Sequence, residues 1–184
     1  MKRCTWSTHT ENEMAYHDTE WGKPNHDDRY LFEMLNLEGQ QAGLSWSTIL
    51  SKRDTMRAAY ANFEPSELVK FTEADVDRLL LDAGIIRHRL KIQAVIHNAH
   101  AYQDIVAKHG SLDAFLWAYV DNAPLENNVQ HYTDVPAETE LSKQISKDLR
   151  KLGFKFVGPT TVYAFMQAVG MVNDHENDCA FRHK

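Results

Sequence analysis

Two cysteines in 184 residues, Cys4 and Cys179, are too few for a disulfide framework. In a reducing compartment a bridge between them would not persist. No stretch approaches the ~18 consecutive apolar residues of a membrane span, so no membrane partner is expected. No apolar run follows the basic start Met1-Lys2-Arg3, which therefore does not read as a secretory signal. The expectation is a cytoplasmic protein. Positive charge is also short: 20 Lys and Arg against 26 Asp and Glu leave a formal net charge of −6. That balance runs against nucleic-acid binding, although phosphate contact needs only a local basic surface. Internal repeats, low-complexity tracts and long linkers are missing. Period-two alternation is nearly missing too, which leaves little room for a sheet.

What is present is helical periodicity. Hydrophobic residues at 43% and charged residues at 25% are ordinary for a globular chain. The length fits one domain, 1–184, large enough to bury a core without disulfides. From Asp27 to Leu37, Leu31, Phe32 and Leu35 share a face, with Asp27 or Asp28 as N-cap. Thr72 starts a helix with the stripe Val76, Leu79 and Leu80, stopped by Gly84. A longer helix runs from about His88 to Lys108 and ends at Gly110. Ser111 caps the next, which buries Leu112, Phe115, Leu116 and Tyr119. Leu141, Ile145, Leu149 and Leu152 mark a helix ending at Gly153, and a last one runs from about Pro159 to Val169. The segment from Asp121 to Thr139, with Pro124 and Pro136, reads as a long loop. The predicted fold class is all-α, a compact helical bundle.

The two cysteines have histidines near them. Cys4 is followed by His17, and His175 precedes Cys179 by four residues. Two thiolates and two imidazoles are a common structural zinc set. A His and a Cys four apart lie on one helix face or in one tight loop. One zinc ion held this way would join residues 1–26 to residues 171–184, closing nearly the whole chain and opposing fraying of its ends. Four protein ligands leave no open position for water, so the metal would be structural. With ten histidines in the chain, coincidence also accounts for the spacing.

Three of the four tryptophans, Trp6, Trp21 and Trp46, fall in the first 46 residues, and Tyr16 adjoins His17. Glu38 follows an apolar helical face and precedes Gly39-Gln40-Gln41-Ala42-Gly43, where two glycines frame two glutamines. Glycine lets a backbone approach a ligand closely. An aromatic wall with one carboxylate suits a flat, cationic heterocycle, attracted by ring quadrupoles and hydrogen-bonded by the acid. The same residues also fit a plain core of tryptophans with a solvated Glu38.

Gly153 and Gly158 bracket a short turn between the last two helices. Backbone N–H groups at such a turn, and at the start of the helix after it, can bind phosphate. Lys143, Lys147, Arg150, Lys151 and Lys155 make the region locally basic, and Arg87-His88-Arg89-Leu90-Lys91 forms a second basic patch. An ordinary pair of helices with a solvated lysine face is the plain alternative.

These residues lie in motifs that resemble the 3-methyladenine DNA glycosylase I family, within the helix-hairpin-helix glycosylase superfamily. The motifs are Arg3-Cys4-x-Trp6, Ala15-Tyr16-His17-Asp18-x-Glu20-Trp21-Gly22, Leu37-Glu38-Gly39-Gln40-Gln41-Ala42-Gly43-Leu44-Ser45-Trp46, Asp82-Ala83-Gly84-Ile85-Ile86-Arg87-His88-Arg89, Gly153-Phe154-Lys155-Phe156-Val157-Gly158 and Val172-Asn173-Asp174-His175. They span nearly the whole chain. The resemblance implies that Cys4, His17, His175 and Cys179 hold zinc. It implies that Glu38 reads the alkylated adenine, with Tyr16 and Trp46 lining the pocket and Trp6 and Trp21 nearby. Gly43 and Leu44 would lie near the gap left by a flipped nucleotide. The Gly153–Gly158 hairpin, with Lys155, would grip the DNA backbone. The family carries a tyrosine near position 13, close to the pocket, where this chain has Glu13.

The function so implied is base-excision repair by a monofunctional glycosylase. It would flip 3-methyladenine out of alkylated double-stranded DNA, release it by hydrolysis and leave an abasic site. The enzyme is expected to act as a monomer, associated with the nucleoid when bound to DNA. Asp174 is the nearest acidic residue by spacing to a general-base position, but it adjoins His175, and no general base is assigned. Three other readings fit part of the pattern: a non-catalytic zinc-stabilised DNA-binding module, a glycosylase for another lesion, and a zinc hydrolase.

Overall fold

The computed structural model describes residues 1–183. Its organising element is helix α2 (Asp28–Gln40). The helix starts where Asp27 accepts a hydrogen bond from the Tyr30 N–H at 2.7 Å, satisfying one of the donors that every helix start leaves orphaned. The sequence predicts one apolar face, but every residue from Leu31 to Gln40 is buried. A helix wrapped on all sides must find partners for its polar residues. Glu33 pairs with Arg29, Arg53 and Arg57. Asn36 accepts from Asn98 and donates to the Phe32 carbonyl. Gln40 donates to the Lys91 carbonyl. The Glu38 carboxyl makes no hydrogen bond among the described residues.

Around α2 pack α3 (Trp46–Ala59), α6 (Arg89–His109), α7 (Leu112–Trp117) and α9 (Pro159–Ala168). The core joins Phe32 and Leu35 of α2 to Ile92, Val95 and Ala99 of α6 and to Val162 and Phe165 of α9, all of them buried. Full burial of each large apolar side chain contributes about 1.5–3 kcal/mol, and this sum holds the helices together. Helix α1 (Glu11–Thr19) lies against α3. Helices α4 (Pro65–Leu68) and α5 (Glu73–Leu79) pack on α6. Helix α8 (Glu140–Lys151) pairs with α9 across the turn 152–158. Caps fall where the sequence puts them: Ser111 accepts from the Ala114 N–H at 2.9 Å, and α6 ends at Gly110.

Three expectations need correction. Gly84 does not stop α5, which ends at Leu79. The Asp82 carboxylate takes the Gly84 N–H at 2.7 Å and organises the following turn instead. The second basic patch is smaller than the sequence suggests, with Arg87 and His88 exposed. Lys91 is buried and donates to the Gln40 and Ala42 carbonyls at 2.8 and 2.6 Å, while Arg89 pairs with Glu73 and Asp77. The segment from Asp121 to Thr139 is not simply a loop. It contains β1 (Leu125–Glu126), which pairs in parallel with β2 (Val172–Asn173), and a further bridge joins Val129 to Glu176. Strands of two residues are too short to leave an alternating pattern in the sequence. The mostly helical fold stands, with this small addition. Among the described residues no helix is long and apolar enough to cross a membrane.

Candidate active site

The C-terminal end of α2, the start of α3, the N-terminal segment and α9 enclose a cavity of about 450 Å³, counting its open mouth. Trp6, Tyr16, Trp21 and Trp46 form its aromatic walls, and Glu38 reaches it from α2. The rings interlock: Trp6 meets Trp21 edge-on at 5.0 Å between centroids, and Tyr16 tilts against Trp46 at 5.4 Å. Edge-to-face aromatic contacts of this kind fix ring planes and so preform the slot. The structure thus brings together all five base-site residues singled out in the sequence.

Glu38 is 6% exposed. Burial pushes its carboxyl up to about 8, because nothing nearby compensates the cost of desolvating a charge. The wall also holds unsatisfied polar groups. The Trp6 and Trp46 indole N–H groups and the Tyr16 hydroxyl are buried without a hydrogen-bond partner. Buried donors are rarely left unpaired unless a ligand completes them, and here three cluster around one lone carboxyl. Burial and then the Glu38 charge also raise the Tyr16 phenol well above its ordinary range, so it remains neutral.

Two wall residues carry no sequence signal that singled them out. Tyr132 comes from the 121–139 segment, with its ring 6.3 Å from Trp6 at the cavity mouth. Its backbone N–H donates to Glu176 at 3.0 Å, which also accepts from the Thr5 hydroxyl. Gln167 comes from α9. Its one available signal was a polar side chain in the largely apolar second half of α9. The glycines around Glu38 act differently from expectation. A Cβ on Gly39 would lie 3.0 Å from the Phe156 carbonyl, so Gly39 admits the α8–α9 turn, not a ligand. Gln41 lines the cavity, whereas Gln40 turns away to Lys91. Glu13 does not line it and instead holds Thr10 at the start of α1, at 3.0 Å.

Next to this cavity the chain ends meet. The donor atoms of Cys4, His17 and Cys179 lie within 4.8 Å of one another, and all three residues are buried. His175 adjoins them, its ring 5.3 Å from that of His17. The His17 Nδ1 bonds Asp18 at 2.9 Å, and Asp18 is held by Arg3. The His175 Nδ1 bonds the Asn173 side chain at 2.8 Å. Both rings therefore present Nε2, and the His175 Nε2 is buried with no partner. This is the outer-shell arrangement of metal-ligating histidines. Trp21 packs on both rings, 5.9 Å from His17 and 4.7 Å from His175, and so links this cluster to the cavity. Gly22 permits the approach, since a Cβ there would sit 2.4 Å from the His175 ring.

Asp174 is not placed as a general base and does not support His175, a role that Asn173 takes. Its carboxylate accepts from Tyr163 at 2.6 Å, Gln167 at 2.8 Å and Asn127 at 2.7 Å. On the far side of α2, the α8–α9 turn is fixed by the Lys155 N–H donating to Asn98 at 2.7 Å and by Ser146 donating to the Val157 carbonyl at 2.6 Å. Gly153 has φ +97°. Of the cations expected here, Lys143 and Lys151 pair with acids of their own helix. Among the described residues Lys147, Arg150 and Lys155 make no ion pair and are exposed. Leu44 is 39% exposed, two residues from Trp46 in the cavity wall, beside an open Gly43.

The methyladenine glycosylase family model matches residues 6–183. A DNA-3-methyladenine glycosylase from Haemophilus influenzae is 46% identical over 177 residues, 96% of each chain. DNA-3-methyladenine glycosylase 1 from Escherichia coli is 48% identical over 179 residues, 97% of this chain and 96% of that one. Among solved structures, 3-methyladenine DNA glycosylase I from Staphylococcus aureus superposes with a TM-score of 0.96 at 39% identity, covering 100% of this chain and 98% of that one. A variant of such an enzyme in complex with 3-methyladenine gives a TM-score of 0.96 at 38% identity, covering 100% and 99%. With the match running nearly end to end, and over the residues that build the aromatic cavity, the chain belongs to the methyladenine glycosylase family.

Proposed function

We propose that this protein is a monofunctional DNA-3-methyladenine glycosylase of base-excision repair. The observation that carries the reading is the buried, unpaired Glu38 at the end of an aromatic slot. A base inside a duplex cannot enter that slot, so it must be flipped out, at a cost of a few kcal/mol. Methylation at N3 makes adenine a cation while it remains on the sugar. The faces of Trp46 and Tyr16 favour the cation by about 0.5–2 kcal/mol per contact, and Trp6 and Trp21 hold those rings in place. Glu38 accepts hydrogen bonds from the base as it ionises beside that charge. The methylated base is already a good leaving group, so positioning supplies much of the catalysis. Water then attacks C1′ as the glycosidic bond breaks, leaving an abasic site. Glu38 is the only carboxylate that lines the cavity among the described residues, which supports recognition by a single acid without a dedicated base.

The duplex is held by the α8–turn–α9 unit acting as a helix-hairpin-helix element. Gly153 and Gly158 let the strand approach the turn, and Lys155 with Lys147 and Arg150 supplies local positive charge on an acidic protein. Exposed Leu44, with Gly43 beside it, fills the gap left by the flipped nucleotide.

Cys4, His17 and Cys179, with the buried and unpartnered His175 Nε2 beside them, would hold one structural zinc ion. With four protein ligands such an ion would be structural and take no part in the reaction. It would cross-link the two chain ends behind Trp21.

The test is base release from methylated duplex DNA, with the freed bases separated and identified. The expected product is 3-methyladenine, absent with Glu38→Ala. Release of uracil or 8-oxoguanine from their lesions, without 3-methyladenine, would overturn the reading.

A further inference from the structure

Asp174 and Gln167 together fix an acceptor at the edge of the cavity. The Asp174 carboxylate can only accept hydrogen bonds, and three donors surround it: the Tyr163 hydroxyl, the Asn127 amide and the Gln167 Nε2. The Gln167 amide therefore has one permitted orientation, with nitrogen on Asp174 and oxygen turned away. Gln167 is itself buried, 7% exposed, and lines the cavity. Its Oε1 makes no hydrogen bond among the described residues and keeps some exposure, in a residue that lines the cavity. The main chain adds rigidity, since the Gln167 carbonyl accepts from the Gly22 N–H at 3.1 Å.

We propose that Gln167 is a specificity-determining residue that presents its Oε1 to the amino group of the bound base, with Asp174 as the positioning residue that prevents its amide from turning over. The inference rests on the 3-methyladenine reading of this cavity. Its chemistry is selective. The unsatisfied indole donors and the Tyr16 hydroxyl match ring-nitrogen acceptors of a purine. An exocyclic amino group needs an acceptor, and a fixed amide oxygen supplies one. A purine with an oxo group at the same position would face oxygen with oxygen and leave both unpaired, which is costly in a dry site. Sequence spacing puts Asp174 nearest to a general-base position without assigning it that role. The geometry gives it another task, holding an amide in one sense.

The test is equilibrium binding of two free bases, 3-methyladenine and 3-methylhypoxanthine, followed by tryptophan fluorescence of the full chain. The wild-type protein should prefer the amino base by roughly tenfold or more. Gln167→Met keeps the size and removes the acceptor, and it should abolish most of that preference. Asp174→Asn lets the amide turn over and should lower the preference in the same direction while Gln167 is intact. Unchanged ratios in folded Gln167→Met and Asp174→Asn would overturn the proposal and leave the glycosylase reading standing. Failure of the wild-type protein to bind 3-methyladenine at all would overturn both. A loss of affinity equal for the two bases would mark a merely structural Gln167, and it counts against the proposal.

Discussion

The chemistry of the cavity turns on one carboxyl whose charge is expensive. Burial holds Glu38 up to about 8 against an ordinary 4.5, so at pH 7 the empty site keeps its proton. The folded chain then binds a proton that the unfolded chain has already lost between those two values. Stability from this group falls as pH rises from about 4.5 to about 8, by up to ~1.4 kcal/mol per unit, and levels off above. Glu38→Gln should flatten that part of the pH–stability profile, measured by urea unfolding at several pH values. The same titration should appear in catalysis. A cationic base is recognised by the ionised acid, so kcat/KM should rise with pH and level off above about 8, and the rise should vanish in Glu38→Gln. Tyr132 belongs to this scale too. Its ring closes the mouth against Trp6, and stacking on a base is worth about 1–3 kcal/mol. Tyr132→Ala should weaken free-base binding roughly tenfold, while Tyr132→Phe should keep most of it, as read by fluorescence titration. The pocket aromatics and Glu38 were legible in the sequence because they crowd the first 46 residues. Tyr132 was not, since a tyrosine in a polar, proline-containing segment looks like any surface residue.

Helix α2 owes its position to devices that only a three-dimensional view reveals. Lys91 reaches in from α6 to the Gln40 carbonyl that ends α2 and to the Ala42 carbonyl just beyond it, where a helix end carries partial negative charge. Removing that ammonium leaves two carbonyls without their partner at the end that carries Glu38. Lys91→Met should cost about 1–3 kcal/mol in chemical denaturation and lower activity without touching substrate. Gly39→Val should be worse for function than for helix propensity, because its side chain would collide with the Phe156 backbone and push the α8–α9 turn away from α2. The sequence pattern located α2, α6, α8 and α9 within a few residues, since apolar spacing and caps agree there. It passed over α3, whose buried face includes Arg53 in an ion pair with Glu20 and Glu33 where an apolar residue would have declared it. It also misread Lys91 as part of a basic surface, because a buried lysine satisfied by backbone carbonyls has no signature in spacing.

Across the whole molecule, the chain ends act as one structure with the wall of the site. Cys4 and Trp6 lie on the first segment, His175 and Cys179 on the last, and Trp21 packs between the histidines and the cavity. The 121–139 segment is tied to the same C-terminal stretch through β1 and β2 and through Tyr132 on Glu176. A zinc ion at this junction would hold both walls at once. Metal analysis should give one zinc per chain. Chelation, or His175→Ala, should lower the melting temperature by several degrees and raise the mobility of Tyr132 and Trp6, seen as altered fluorescence. The meeting of Cys4, His17 and Cys179 beside His175 was legible because two cysteines each have a histidine near them at opposite ends of the chain. That the ends also carry the pocket wall was not, because nothing in spacing tells which loop a terminal segment will pair with.

The central claim is that a lone buried acid in an aromatic slot selects methylated adenine. Single-turnover excision of 3-methyladenine from a defined duplex, wild type against Glu38→Gln, tests it most directly. The account predicts rapid release of 3-methyladenine by the wild-type protein and a loss of about ten- to a hundredfold in the folded variant. Equal rates for the two proteins would contradict it.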